Sequence, residues 1–176
     1  MRNVGHSPTY ENRMSTLDTL KAKFPDAVAA SSFRDNARVT VPAEKVLAVL
    51  TCLKTECGFD MLADLAGIDY LGYPNATDRY GVVYALTNLT TGERLFVKTF
   101  ANDPEPVLPS VYDLWKGADW MEREVYDMFG VAFDGHPDLR RILMPSEFTS
   151  HPLRKDYPLR GSGERHNFPT VTRAES

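Results

Sequence analysis

Apolar residues recur along the first two thirds of the chain at spacings that switch between helical and strand periods. Apolar positions at i, i+3 and i+7 predict a short helix over 15–24, capped by Ser15. A second apolar helical face lies between Pro42, at a favoured helix start, and Gly58, a natural helix end. Alternating patterns predict five strands, at residues 28–33, 38–41, 59–70, 80–89 and 94–100. Residues 59–70 also fit a helix, but the neighbouring strands need a partner, which favours a strand.

The order of these elements predicts the fold class. A helix, two strands, a helix and three strands are typical of an α+β fold, a two-layer α/β domain with a mixed or antiparallel sheet. The strand over 80–89 is apolar on both faces, which predicts a central, covered strand. Two more helices are expected, one from Ser110 to Trp115, and one from Asp119, with Glu122 at capping-box spacing, to Gly130.

The chain divides into three parts. Residues 1–14 are polar without a period, which predicts a flexible N-terminus, and residues 15–130 hold the α/β domain. Residues 131–176 are expected to form an extended, mostly irregular arm, since prolines recur there too often for regular elements. Such an arm cannot satisfy its own backbone, so it must lie on its own domain or on another protein.

Composition narrows the functional classes. The 176 residues suit one domain, and 43% hydrophobic with 25% charged residues is an ordinary globular composition. A net charge of −4 argues against a general nucleic-acid binder. Neither an apolar run long enough to span a bilayer nor a secretory signal is visible. The arm is nevertheless basic over 140–176, which fits either a solvated tail or docking on an acidic partner.

Metal and thiol chemistry find little support. Cys52 and Cys57 do not face one site on their helix, and zinc or iron–sulfur sites usually need about four ligands. His136 and His151 each precede a proline, which fixes an extended backbone, so we expect them to bond to arm backbone rather than to a metal.

The helix after Asp119 carries charges beside an apolar stripe. Glu122 and Glu124 flank this stripe on opposite sides, so they cannot form a paired-carboxylate site. Arg123 and Asp127 are expected to form an i, i+4 ion pair on the outer face. Glu124 and Asp127 could chelate a metal with a third ligand, but carboxylates placed this way more often accept bonds from the backbone or an Arg of a docked loop.

A dense motif spans about residues 119–160. It runs through three stretches, at residues 122–131, 135–145 and 151–159, together with Phe133. The motif resembles the C subunit of NADH-quinone oxidoreductase, respiratory complex I, and every element of that family's signature is filled from Glu122 to Leu143. The N-terminal α/β domain agrees with this family in size and in the order of its elements.

The resemblance implies a peripheral-arm subunit of a proton-translocating complex that passes electrons from NADH to quinone. Subunits of this family bind no cofactor themselves, whereas FMN, iron–sulfur clusters and quinone belong to other subunits of the complex. The arm is expected to dock on the D subunit, near the B and I subunits, with no nucleic acid involved. The implied location is the cytoplasmic side of the bacterial inner membrane, reached only through the complex.

The resemblance also implies which residues bind partners. Arg140, Arg141, Arg154 and Lys155 are the expected anchors, because Arg forms bidentate bonds with carboxylates across subunit boundaries. The full expected set is Glu122, Arg123, Glu124, Asp127, His136, Arg140, Arg141, His151, Arg154, Lys155, Asp156 and Tyr157.

Three alternatives stay open. The chain could be the equivalent subunit of a ferredoxin-dependent or hydrogenase-type relative, or a soluble adaptor unrelated to respiration. It could also be a stand-alone metal-dependent enzyme that uses Glu124, Asp127 and His136.

Overall fold

The computed structural model describes residues 15–33 and 36–163. The chain order is α1 (Thr16–Lys23), β1 (Ala29–Phe33), β2 (Asn36–Thr40), α2 (Ala43–Thr55), β3 (Met61–Asp69), β4 (Tyr80–Thr87), β5 (Arg94–Ala101), β6 (Val107–Pro109), α3 (Ala118–Phe129) and β7 (Ala132–Asp134). The predicted flexible N-terminus, 1–14, and the last part of the predicted arm, 164–176, lie outside the described residues. No helix within the described ranges is long and apolar enough to cross a bilayer.

The main sheet has five strands in the order β1-β2-β5-β4-β3. Strands β2 and β5 run parallel, and the other neighbouring pairs run antiparallel, which confirms the predicted mixed sheet. All five strands lie close to their predicted positions. A small second sheet pairs β6 with β7 in parallel, before and after α3, and was not predicted.

One face of this sheet forms the core. On β4 the alternate residues Tyr80, Val82, Tyr84 and Leu86 are buried there together with residues of the three helices. β4 lies between β5 and β3, so the prediction that it is an interior strand is confirmed. The opposite face differs from the prediction, because Val83 and Ala85 on it are only half-buried, like residue 87 beyond them.

Gly67 allows α3 to approach the sheet closely. A Cβ atom at this position would lie 2.6 Å from Phe129 Cδ2 and 3.2 Å from Val125 Cγ1. The absence of a side chain on β3 therefore lets the apolar stripe of α3 seat directly on the strand.

The predicted N-cap of α1 is confirmed, whereas two predictions about later helix starts are wrong. At α1, Ser15 Oγ accepts from the backbone N–H of Asp18 at 3.2 Å, as expected of an N-cap. The helix predicted from Ser110 to Trp115 is wrong, since this stretch forms turns. The capping box is also wrong, because α3 starts at Ala118 and Glu122 bonds elsewhere.

The described part of the predicted arm, residues 131–163, which we call the arm, is irregular apart from β7. Its residues beyond β7 follow turns and bends, as the recurring prolines indicated. The arm lies back on its own domain, along α3 and one end of β3.

Candidate functional site

Asp127 on α3 anchors the start of the arm. Its carboxylate is fully buried, and Oδ2 accepts from the backbone N–H groups of Ile142, Leu143 and Met144 at 3.1, 2.8 and 2.8 Å. Oδ1 accepts from Arg141 Nη1 at 2.6 Å. Burial alone would raise the pKa of this carboxyl, but the backbone donors and Arg141 outweigh it and hold the pKa below its usual range. The carboxylate is therefore charged and fully engaged.

Arg123 supports the same turn of the arm from the other side. Its Nε and Nη2 donate to the carbonyl oxygens of Arg140 and Arg141 at 3.1 and 3.2 Å, and its guanidinium lies over the Trp120 ring. The predicted outer-face ion pair with Asp127 is therefore wrong. Both residues are buried because the arm covers this side of α3.

Glu122 ties α3 to the loop that precedes it. It is fully buried, accepting from Ser110 Oγ at 2.6 Å and from the backbone N–H of Val111 at 2.7 Å. Burial raises the pKa of this carboxyl, and these two bonds with the nearby His136 offset only part of that rise. Glu122 therefore binds a proton more readily in the fold than in water.

His136 bridges the arm and the first turn of α3. Its Nδ1 accepts from the backbone N–H of Asp138 at 3.0 Å, which leaves Nε2 to donate to the carbonyl of Asp119 at 3.2 Å. The expected backbone bonding of His136 is confirmed.

The arm also caps the C-terminal end of α3. The carbonyls of residues 127–129 accept from His151 Nδ1 at 3.0 Å, from the Leu153 N–H at 3.1 Å and from Arg154 Nε at 2.6 Å. A free helix would leave these carbonyls unpaired. Burial lowers the pKa of His151, which favours the neutral ring. Gly130, with φ 75°, turns the chain out of the helix.

A second attachment joins the end of the arm to the sheet. Asp69 on β3 accepts from the backbone N–H of Lys155 at 2.8 Å. Arg79 pairs with Asp156 and Asp103, both at 2.6 Å, and contacts Asp69 at 3.5 Å. Burial alone would raise the pKa of Asp69. The backbone N–H of Lys155 and the Arg79 side chain lower it by more than burial raises it, so the pKa is below its usual range.

Sequence reasoning missed Asp69, Arg79 and Ser110. A signal was available for Asp69, because the alternation of β3 places this acid on the buried face, where a carboxylate needs partners. Arg79 and Ser110 lie in loops, where no periodicity marks them.

The predicted partner-binding residues fall into two groups. Seven of them point into the chain and hold the arm: Glu122, Arg123, Asp127, His136, Arg141, His151 and Arg154. Glu124, Arg140, Lys155 and Asp156 are exposed, and Tyr157 is half-buried against the Phe148 ring. Partner contacts of all twelve stay a prediction.

The residues of the alternative metal site are not brought together. The Asp127 carboxylate is engaged by Arg141 and backbone, His136 lies beside Asp119, and Glu124 is exposed. Across the described ranges, no cluster of three or more His, Cys, Asp or Glu side chains is placed to hold a metal ion.

The thiols are poorly suited to nucleophilic chemistry. Cys52 is buried and Cys57 half-buried. The pKa of Cys57 is raised to about 11, mainly by burial, so little thiolate exists at neutral pH.

Large apolar side chains stand on the outer surface of the arm. Leu143 is 61% exposed and Leu153 53%, and Leu159 is fully exposed. The backbone at Leu143 and Leu153 is nevertheless fixed by bonds to α3. The arm thus presents exposed leucines on a fixed backbone, with Arg140 and Lys155 exposed near them in the sequence.

Comparison with known proteins gives consistent matches. Residues 39–163 match the family described as the respiratory-chain NADH dehydrogenase, 30 Kd subunit. The NADH-quinone oxidoreductase C subunit of Trichlorobacter lovleyi is 45% identical over 148 residues, which are 84% of this chain and 90% of that protein. The corresponding C subunit of Thermus thermophilus is 47% identical over 130 residues, 70% of this chain and 62% of that protein.

Two solved structures share the fold. A trypsin-resistant fragment (1-134) of Nqo5 has a TM-score of 0.64 and 39% identity, covering 70% of this chain and 96% of the fragment. A chain of the membrane-bound sulfane sulfur reductase, an archaeal respiratory membrane complex, has a TM-score of 0.71 and 25% identity, covering 89% of this chain and 91% of that one.

Proposed function

Because this chain belongs to the family of the respiratory-chain NADH dehydrogenase 30 kDa subunit, we propose that it is a non-catalytic docking subunit of NADH-quinone oxidoreductase. Its arm docks on the D subunit, near the B and I subunits, and the chain lies peripherally on the cytoplasmic side of the membrane. FMN, iron–sulfur clusters and quinone reside in other subunits. The chain positions them and contributes no reacting group.

One observation carries this proposal: bonds to α3 fix the backbone of the arm, while apolar side chains of the arm are exposed to solvent. Asp127 and the carbonyls of 127–129 fix the arm backbone, so the exposed Leu143 and Leu153 lose little conformational freedom when a partner covers them. Exposed leucines on a rigid backbone favour a permanent interface over a solvated tail.

The charges beside the leucines suit a subunit boundary. Arg140 and Lys155 are exposed, and Glu124 on α3 is exposed nearby in the chain, so both signs are available at the rim. Rim charges set orientation and choice of partner more than affinity. Arg141 and Arg154, by contrast, support the surface from beneath.

The likeness to a chain of the archaeal membrane-bound sulfane sulfur reductase, a different respiratory complex, favours one alternative, the equivalent subunit of a ferredoxin-dependent or hydrogenase-type relative. The two functions separate in one assay on the purified complex. NADH oxidation coupled to quinone reduction supports the proposed function, whereas activity only with another electron donor supports the alternative.

The docking role is tested by affinity capture from detergent-solubilised membranes. We expect wild type to recover the D, B and I subunits, identified by mass spectrometry. The double variant Leu143→Asp/Leu153→Asp should lose them, because buried unpaired carboxylates are costly. Leu89→Asp is the matched control, since Leu89 is 65% exposed in the β4–β5 turn, away from the arm.

Two results would contradict the proposal. Capture of wild type without these subunits would contradict the proposed role as a subunit of the complex. Equal recovery by the arm variant and the Leu89→Asp control would leave the chain in the complex but place its interface elsewhere.

A further inference from the structure

The side of the main sheet that faces away from the helices, which we call the open face, is covered by the described residues at one end, where Tyr70 of the β3–β4 loop lies against Gly81 and Phe100. The strand registers align Arg38, Phe96, Ala85 and Asp64 in one row across it. Each of the three described helices contributes buried apolar residues to the core on the other side.

The centre of the open face is apolar. Phe96, Val83 and Ala85 are half-buried there, and Ile68 is 38% exposed. Together with neighbouring polar residues they line a shallow groove of about 360 Å³. A sheet face meant for water normally carries polar residues at these positions, so a contiguous apolar centre marks a surface that another element covers.

The open face carries more cations than carboxylates. Arg38, Arg94 and Lys98 point to this side, against the carboxylate of Asp64. Lys98 is held in place, with Nζ donating to Tyr70 Oη at 2.6 Å. The chain as a whole carries −4, so the sign of the charge on this face is opposite to that of the whole chain.

The segments of this chain outside the described residues do not complement that charge. Residues 1–14 contain two Arg and one Glu, and residues 164–176 contain two Arg and two Glu. A second copy of the chain is also excluded as the occupant of the open face, because a two-fold contact would place one positive face against another.

We propose that the open face docks an acidic, amphipathic segment of a neighbouring subunit of the complex. Apolar residues of that segment fill the groove over Phe96 and Val83, and its carboxylates pair with Arg94 and Lys98. The inference rests on the proposed function for the identity of the complex. It adds a second interface, on the opposite side of the sheet from the helices.

The experiment uses the assembled complex. Phe96 is replaced by the photo-crosslinking residue p-benzoyl-phenylalanine, which keeps an aromatic ring at the centre of the groove. The complex is purified in detergent and irradiated, and the crosslinked peptides are sequenced by mass spectrometry. The same residue placed at Thr91, in the exposed β4–β5 turn, is the positional control.

The result expected is a crosslink from position 96 to a peptide of another subunit that holds more Asp and Glu than Lys and Arg, without the same crosslink from position 91. The double variant Arg94→Glu/Lys98→Glu should lower its yield about tenfold, because like charges then meet. Lys21→Glu/Lys45→Glu makes the same charge change on exposed positions of α1 and α2 and should leave the yield unchanged.

The outcomes separate this inference from the proposed function. A chain present in the complex that crosslinks from position 96 to nothing, to its own termini, to a second copy, to lipid or to a basic segment overturns the inference alone. An unchanged yield in the Arg94→Glu/Lys98→Glu variant overturns its electrostatic basis. A chain absent from the purified complex overturns the proposed function and the inference with it.

Discussion

The buried Asp127 and the half-buried Arg141 form an ion pair, 2.6 Å between Oδ1 and Nη1, that joins α3 to the arm. Asp127→Asn keeps the shape but removes the charge that three backbone N–H groups and Arg141 share. We expect a loss of about 3 kcal/mol in the free energy of unfolding, as for other buried pairs left with one partner. Urea denaturation at neutral pH measures it. Glu124→Gln, an exposed change on the same helix, should cost less than about 0.5 kcal/mol.

Glu122 and Asp127 should respond to pH with opposite signs. The pKa of Asp127 is lowered in the fold, so its stabilisation exists above about pH 3.9 and is lost as the pH falls through its folded pKa. The pKa of Glu122 is raised, so its penalty appears as the pH rises from about 4.3 through its folded pKa.

Glu122→Gln removes this ionisation penalty, so its stability relative to wild type should increase as the pH rises. The site stays intact, because the amide can still accept from Val111 and donate to Ser110. The Asp127→Asn deficit should shrink as the pH falls below about 3.9. Thermal unfolding scans across this pH range test both. Parallel pH trends for the two variants would show that their environments do not differ as described.

Gly130 should not tolerate a side chain. Its φ of 75° is strained for other residues, and an added Cβ would lie 2.6 Å from His151 Cδ2 and against Arg154 Nη2. We expect Gly130→Ala to cost more than about 2 kcal/mol, the sum of strain and displacement of the arm. Faster tryptic cleavage at Arg154 should accompany it.

Gly92→Ala provides the comparison for Gly130. Gly92 has φ 73° but has nothing within 4 Å of an added Cβ, so only the backbone strain of about 1 kcal/mol applies. Equal losses at the two glycines would mean that the arm does not press on Gly130.

Arg79 should contribute more to the free energy of unfolding than its position in a loop indicates. Its loss in Arg79→Gln leaves the buried Asp69 without its cation and frees Asp156 on the arm. We expect about 2 kcal/mol of destabilisation by urea denaturation. Lys116→Gln, which breaks an exposed i, i+3 pair with Asp113, should be close to neutral, and a similar loss there would argue against the role of Arg79.

The sheet could be predicted because its strands alternate cleanly. On β4, Tyr80, Val82, Tyr84 and Leu86 all face the core as the period of two requires. Strands β6 and β7 were missed because three residues carry no readable period, and Pro109 ends β6.

The site was predicted only in part. His136 bonds to the arm backbone at Asp138 as expected, whereas His151 Nδ1 bonds to the Asp127 carbonyl on α3 and not to the arm. The surroundings of Arg123 and Asp127 were misjudged, because a helical wheel gives angles around α3 but not which side a later segment covers. Asp69 and Lys155 meet across 86 residues, beyond any local pattern.

The 86-residue separation between Asp69 and Lys155 also bears on the order of folding. The bonds between the Asp127 carboxylate and the arm close loops of only 14 to 17 residues, so closing the Asp69 contact costs about 1.5 kcal/mol more in chain entropy. Local closure on α3 should precede it. During synthesis, Asp69 and Arg79 leave the ribosome long before Lys155, so the last part of the arm meets a receiving surface that is already built.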